Sequence, residues 1–160
     1  MMVVLKSLLF LIVIPGTVLV LLPNWLLSSV RDPFPLPIGL FSYLGLAPMI
    51  LGAVVIVWCV WDFTFTGKGT PAPIDPPKEL VVKGLYRYVR NPMYIGVLLV
   101  LLGESLLFQS GAILVFGIVL FLLFHSFVLF YEERALKKKF GQAYEDLLNT
   151  VPRWIPRFRR

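Results

Sequence analysis

Charge is scarce in this chain of 160 residues: only 15% are Asp, Glu, Lys or Arg, and just nine are acidic. So little charge cannot clothe an ordinary soluble domain. With 58% hydrophobic residues and a mean hydropathy of +0.84, the composition is that of an integral membrane protein. The single cysteine, Cys59, excludes an intrachain disulfide, and its place inside an apolar run gives it a structural role. His125 is the only histidine, and no metal centre is predicted. Gly67-Lys68-Gly69 lacks the strand and helix context of a nucleotide fingerprint, which excludes a Rossmann or P-loop site. There is no internal repeat and no low-complexity segment. The net charge of +6 does not point to nucleic acid, because the basic residues flank apolar segments instead of forming a basic domain of their own.

What is present is a series of apolar runs, which predicts an all-α polytopic membrane protein and a single membrane domain over 1–160. The first run, about 3–22, is long enough to cross roughly 30 Å of hydrocarbon as a helix. Pro15-Gly16 is expected to kink it. No small-x-small cleavage site follows, so it reads as a spanning helix and not as a signal peptide, with Leu21-Leu22-Pro23-Asn24-Trp25 as its interfacial end. Pro23, Pro33, Pro35 and Pro37 argue against a continuous helix over 23–38. The second span is placed at about 39–65, with Asp62 at the interface near its end. A loop over 66–91, stiffened by prolines and loosened by glycines, is suited to forming a lid or pocket wall. The third and fourth spans, about 92–108 and 111–131, are separated by Gln109-Ser110-Gly111 and form an antiparallel hairpin. Beyond them, Leu136, Phe140, Tyr144, Leu147 and Leu148 recur at helical spacing, describing a C-terminal amphipathic helix on the membrane surface within 132–160, with Trp154 anchoring the tail.

Four spans place fourteen of the fifteen Lys and Arg residues on one side, with Arg31 alone opposite. By the positive-inside rule both termini are then cytoplasmic.

Polar residues gather at that face. Asn91 suits a helix N-cap and Pro92 the first helical position, so a helix begins there with its first-turn amides beside Arg87 and Arg90 as an anion-binding corner. Glu132 and Glu133 close the fourth span at the same end. Cations on one wall and carboxylates on the other make a pocket for a zwitterionic ligand, or else simply pair with each other. His125, seven residues before Glu132, shares its helix face and is a candidate to meet a substrate below the ligand. Glu104 lies deeper and towards the opposite face, and is read as structural. Tyr131, Tyr144 and Arg153 border the same region.

Five short motifs carry a resemblance: Gly84-Leu85-Tyr86-Arg87, Arg90-Asn91-Pro92-Met93-Tyr94-Ile95-Gly96, Glu132-Glu133-x-x-Leu136, Phe140-Gly141-x-x-Tyr144 and Val151-Pro152-Arg153. In this order they resemble the membrane methyltransferases that include isoprenylcysteine carboxyl methyltransferase and the phospholipid N-methyltransferases. The resemblance covers roughly 66–156. It implies S-adenosyl-L-methionine as cofactor, held by Tyr86, Arg87, Arg90, Asn91, Tyr94, Gly96, Glu132 and Glu133, and a lipid or lipid-like methyl acceptor. Many members have His where this chain has Asn91, which removes any proton-transfer role at that position. A carboxylate acceptor needs no general base, whereas an ammonium acceptor must first lose a proton. Two other readings stand beside this one. Membrane sterol reductases are similar in their C-terminal hairpins but use NADPH, whose phosphates call for more cations than acids. A non-catalytic membrane component is the other.

Overall fold

The computed structural model describes residues 2–29, 40–67 and 78–157, and every regular element among them is helical. Three helical stretches are long and apolar enough to cross a membrane: Val4–Ser29, Ser42–Phe65 and Gly111–Phe140. The chain is thus built as an integral membrane protein. Pro92–Leu107 is a shorter apolar helix that packs among them.

The first stretch comprises α1 (Met2–Gly16), a π-turn (Thr17–Leu21) and α2 (Leu22–Ser29). It therefore continues past Pro23, where the sequence suggested a helix end. The π-turn closes with Leu22 N–H on Thr17 O, and Pro23 follows where the ladder returns to α register. The residues between 30 and 39, with Arg31 and three prolines, lie outside the described residues.

A 3₁₀ turn (Leu40–Gly45) leads into α3 (Leu46–Phe65), which runs antiparallel against α4 (Pro92–Leu107). Glycines set the approach. Gly52 faces Gly96 and Gly45 faces Gly103, and a Cβ built on either Gly52 or Gly45 would strike the backbone oxygen of its partner glycine. Small residues let helices in lipid approach to backbone contact, where dispersion and not hydrophobicity holds them. Gly96 is accordingly a packing residue, and it is not among the residues that line the cavity described below. Beside this contact Ile56, Val60, Val97, Val100, Leu101 and Ile113 form the core between α3, α4 and α5 (Gly111–Phe127).

The turn into α5 is held by Ser110, whose side chain caps the helix at Ile113 N, and by Gln109, whose amide donates to Ser42 Oγ in the turn ahead of α3. Beyond Phe127 the helix does not stop near 131. A π-turn (Val128–Glu132) joins it to α6 (Glu133–Phe140), giving thirty continuous residues, about 45 Å at 1.5 Å each. That exceeds the roughly 30 Å of a hydrocarbon core, so the last turns stand clear of it. Gly141, at φ +55°, breaks the helix, and amphipathic α7 (Gln142–Thr150) folds back with Tyr144, Leu147 and Val151 in a small core of their own.

Asp62 is buried, not interfacial as its position suggested. It lies under Gly84, whose φ of +56° and lack of Cβ let the 3₁₀ turn Gly84–Arg87 sit directly on the carboxylate. Thr64 Oγ1 and Ser7 Oγ, 2.7 Å apart, tie α3 to α1 at the same end of the bundle.

Candidate functional site

Where α3 ends, α4 begins and the long α5–α6 helix passes its π-turn, a cavity of about 200 Å³ opens. Its polar wall consists of Tyr86, Arg90, Asn91, Tyr94, Tyr131, Glu132, Lys139 and Tyr144; apolar residues such as Phe63, Leu80, Val81 and Leu136 complete it. Leu80 and Val81 come from the described end of the 66–91 loop and form part of the wall. Residues 68–77 of that loop lie outside the described residues.

The two adjacent glutamates part company. Glu132 enters the cavity wall and accepts a hydrogen bond from Tyr94 Oη at 2.9 Å, and the Tyr94 ring stacks on Phe124 with centroids 4.5 Å apart. Glu133 is taken up entirely by arginines. Arg90 Nη1 reaches its Oε1 at 2.8 Å, while Arg153 Nε and Nη2 grip Oε1 and Oε2 at 2.7 and 2.9 Å in a bidentate pair. Side chains 11% and 15% exposed for Arg90 and Glu133 place that cluster largely out of water. Adjacent side chains on a helix do not share a face, and the extra residue of the π-turn shifts the register in which the two leave it. The opposed cationic and acidic walls of the sequence reading are therefore partly replaced by a salt-bridge cluster behind the cavity.

Pro92 opens α4 and Asn91 occupies its N-cap position as expected, but the Asn91 side chain makes no capping bond. Its Nδ2 donates instead to Arg153 O at 3.1 Å, because the segment after α7 runs back across this corner. Arg90 N–H donates to Pro152 O and Arg157 N–H to Tyr88 O, so residues 88–91 and 152–157 hold each other by their backbones.

Two other expected site residues fall elsewhere. Arg87 is exposed and outside the cavity wall, since the 3₁₀ turn directs Tyr86 inwards and Arg87 outwards. His125 is also outside the wall. Its Nδ1 accepts from Trp154 Nε1 at 3.0 Å, and its ring packs beside Phe121 and Trp154, so it joins the tail to α5 and does not face the cavity.

Burial pushes the Tyr86 phenol well above its usual range, with the neighbouring Cys59 thiol and then Glu132 adding to it. The Tyr144 phenol is raised by burial and by Glu133, against an opposing effect of Arg90. Both are therefore neutral hydrogen-bonding groups at any physiological pH. Hydrogen bonding to Glu133 raises Arg153, keeping it fully charged. Arg90 retains one unspent donor, a buried Nε without a partner among the described residues.

Sequence reasoning missed Leu80, Val81, Phe63 and Lys139 in the wall, and the tail's backbone pairing with 88–91. Nothing local marks Leu80, Val81 or Phe63 as a cavity wall, and Lys139 reads as one more cation of the amphipathic segment.

A family model described as phospholipid methyltransferase matches residues 40–143. The chain is 32% identical over 120 residues to protein-S-isoprenylcysteine O-methyltransferase B of Arabidopsis thaliana, covering 72% of this chain and 59% of that protein. It is 29% identical over 120 residues to a probable protein-S-isoprenylcysteine O-methyltransferase of Oryza sativa subsp. japonica, covering 72% and 61%. To the protein-S-isoprenylcysteine O-methyltransferase of Schizosaccharomyces pombe it is 37% identical over 78 residues, covering 48% and 33%. The chain thus aligns with between a third and three-fifths of the length of these curated relatives. The family match itself runs from the turn ahead of α3 into the start of α7 and takes in most of the cavity wall. On that extent, well over half of its residues, the chain belongs to the phospholipid methyltransferase family.

Proposed function

We propose that this protein is an integral membrane methyltransferase that uses S-adenosyl-L-methionine to methylate a lipid or lipid-like acceptor at a carboxylate or an amine. The carrying observation is the cavity at the α4 and α5–α6 junction, with Glu132, Tyr86, Tyr94 and Asn91 in its wall, inside the region matched by the family. The relatives named as O-methyltransferases support the reaction class.

The residues present suit that cofactor. It carries a carboxylate, an ammonium, ribose hydroxyls and a sulfonium. Arg90 lines the cavity and has a buried Nε without a partner among the described residues, a donor for a carboxylate. Glu132 is the acceptor for hydroxyls or an ammonium. Tyrosine and phenylalanine faces accommodate a cation without a counter-charge. The cofactor, once bound, supplies an activated methyl group. What remains for this chain is to orient the two reactants and exclude water, and an apolar cavity wall does both.

Four crossings, with α4 as the third, are part of the reading, supported by the packing of α4 between α3 and α5. The gathering of basic residues on one side of a four-span reading supports a cytoplasmic location for both termini and the cavity.

The relatives named as O-methyltransferases favour this reading over an NADPH-dependent reductase. Calorimetry on detergent-purified protein decides. Binding of S-adenosyl-L-methionine that is lost in Glu132→Ala and Arg90→Ala supports the proposal. Binding of NADPH alone points to the reductase, and binding of neither points to a non-catalytic membrane component. Lipid extraction after incubation with methyl-labelled cofactor then identifies the acceptor.

A further inference from the structure

The segment after α7 lies beyond the family match, yet it makes the most directional contacts at the site. Arg153 grips both oxygens of Glu133, and its own carbonyl accepts from Asn91 Nδ2. On either side of it, Pro152 O takes Arg90 N–H, and Trp154 is fixed by its indole N–H to His125. The Trp154 ring stands 5.3 Å from Phe121 and 6.5 Å from Tyr94, bridging the α4–α5 pair above the Tyr94–Phe124 stack.

We propose that Arg153 is a positioning residue for this site, holding Glu133 outside the cavity so that Glu132 is the one carboxylate of the pair left to meet a ligand. The proposal rests on the reading of the cavity as a cofactor site. Arg90 alone gives Glu133 a single hydrogen bond, to one oxygen. That fixes a distance but not an orientation, whereas the guanidinium fork of Arg153 fixes the plane of the carboxylate. Without the fork, Glu133 is free to turn beside Glu132 and the four-charge cluster changes from balanced to net negative.

The test uses the full chain in detergent and the variants Arg153→Gln, Arg153→Lys and Arg153→Gln combined with Glu133→Gln. Arg153→Gln is expected to stay folded, to weaken S-adenosyl-L-methionine binding by about tenfold or more, and to speed amide exchange in the peptide spanning 84–94. Lysine, which cannot bind both oxygens, recovers only part of this. Neutralising Glu133 in the double variant restores binding to within about threefold and slows the exchange again, an outcome that lost packing alone cannot give. Unchanged binding and exchange in Arg153→Gln, or no recovery in the double variant, overturns the proposal. If the unmodified protein binds no S-adenosyl-L-methionine, the proposed function fails, while the exchange comparison alone still decides the role of Arg153.

Discussion

Tyr94 and Glu132 meet across the α4–α5 pair, hydroxyl on carboxylate at 2.9 Å, although thirty-eight positions separate them in the chain. The contact matters because it orients the only glutamate of the twin pair that lines the cavity. Tyr94→Phe keeps the ring stack on Phe124 and removes only the donor. A net hydrogen bond to a charged group contributes about 1.5–3 kcal/mol, so cofactor affinity is expected to fall by roughly tenfold or more with little change in melting temperature. Calorimetry beside a thermal melt reads both; unaltered affinity would detach Tyr94 from the site.

Glu132 and Glu133 are expected to separate into binding and stability. Glu133→Ala strands Arg90 and Arg153, whose side chains are 11% and 27% exposed. Removing one partner of a buried ion cluster costs about 3–5 kcal/mol, with partial exposure pulling the figure to the lower end. Glu132→Ala is expected to abolish binding at much smaller cost in stability. Melting curves of the two variants in the same detergent check the order, and the reverse order refutes the assignment.

The glycine contact between α3 and α4 gives a third prediction. Gly52→Leu places a side chain against the backbone of Gly96 and is expected to separate the helices, giving poor yield and rapid proteolysis in the 66–91 loop. Gly16→Ala has open space around its new Cβ and is expected to be neutral or slightly stabilising, by at most about 1 kcal/mol. Limited proteolysis of both variants provides the comparison.

His125 offers a fourth. If it acted as a general base, its loss would lower turnover by about 10²–10⁴. Because its Nδ1 instead receives the Trp154 indole, His125→Ala is expected to reduce turnover less than tenfold and leave the shape of the pH–rate profile unchanged. A flattened limb in that profile would restore the catalytic role.

The presence of long apolar helices and the Arg-Asn-Pro start of a helix at Pro92 were legible in the chain, because each depends on hydrocarbon thickness or on local backbone chemistry. Five of the eight residues proposed for the cofactor, Tyr86, Arg90, Asn91, Tyr94 and Glu132, line the cavity. Glu133 lies just behind it, joined to Arg90, one of those five. Gly96 and Arg87 lie outside the cavity wall for different reasons. Gly96 belongs to a helix contact that only the neighbouring helix reveals, and Arg87 leaves a 3₁₀ turn on the side away from Tyr86.

Periodicity in the chain placed two glutamates at the head of a helical hairpin, since apolar spacing follows from the repeat of the backbone alone. It left undecided which of them turns inward. That choice came from the π-turn over Val128–Glu132 and from Arg153, a cation twenty residues away whose fork captures Glu133 once α7 has folded back. Directional bonds between distant residues have no local periodic signature, so only the assembled helices could settle the matter.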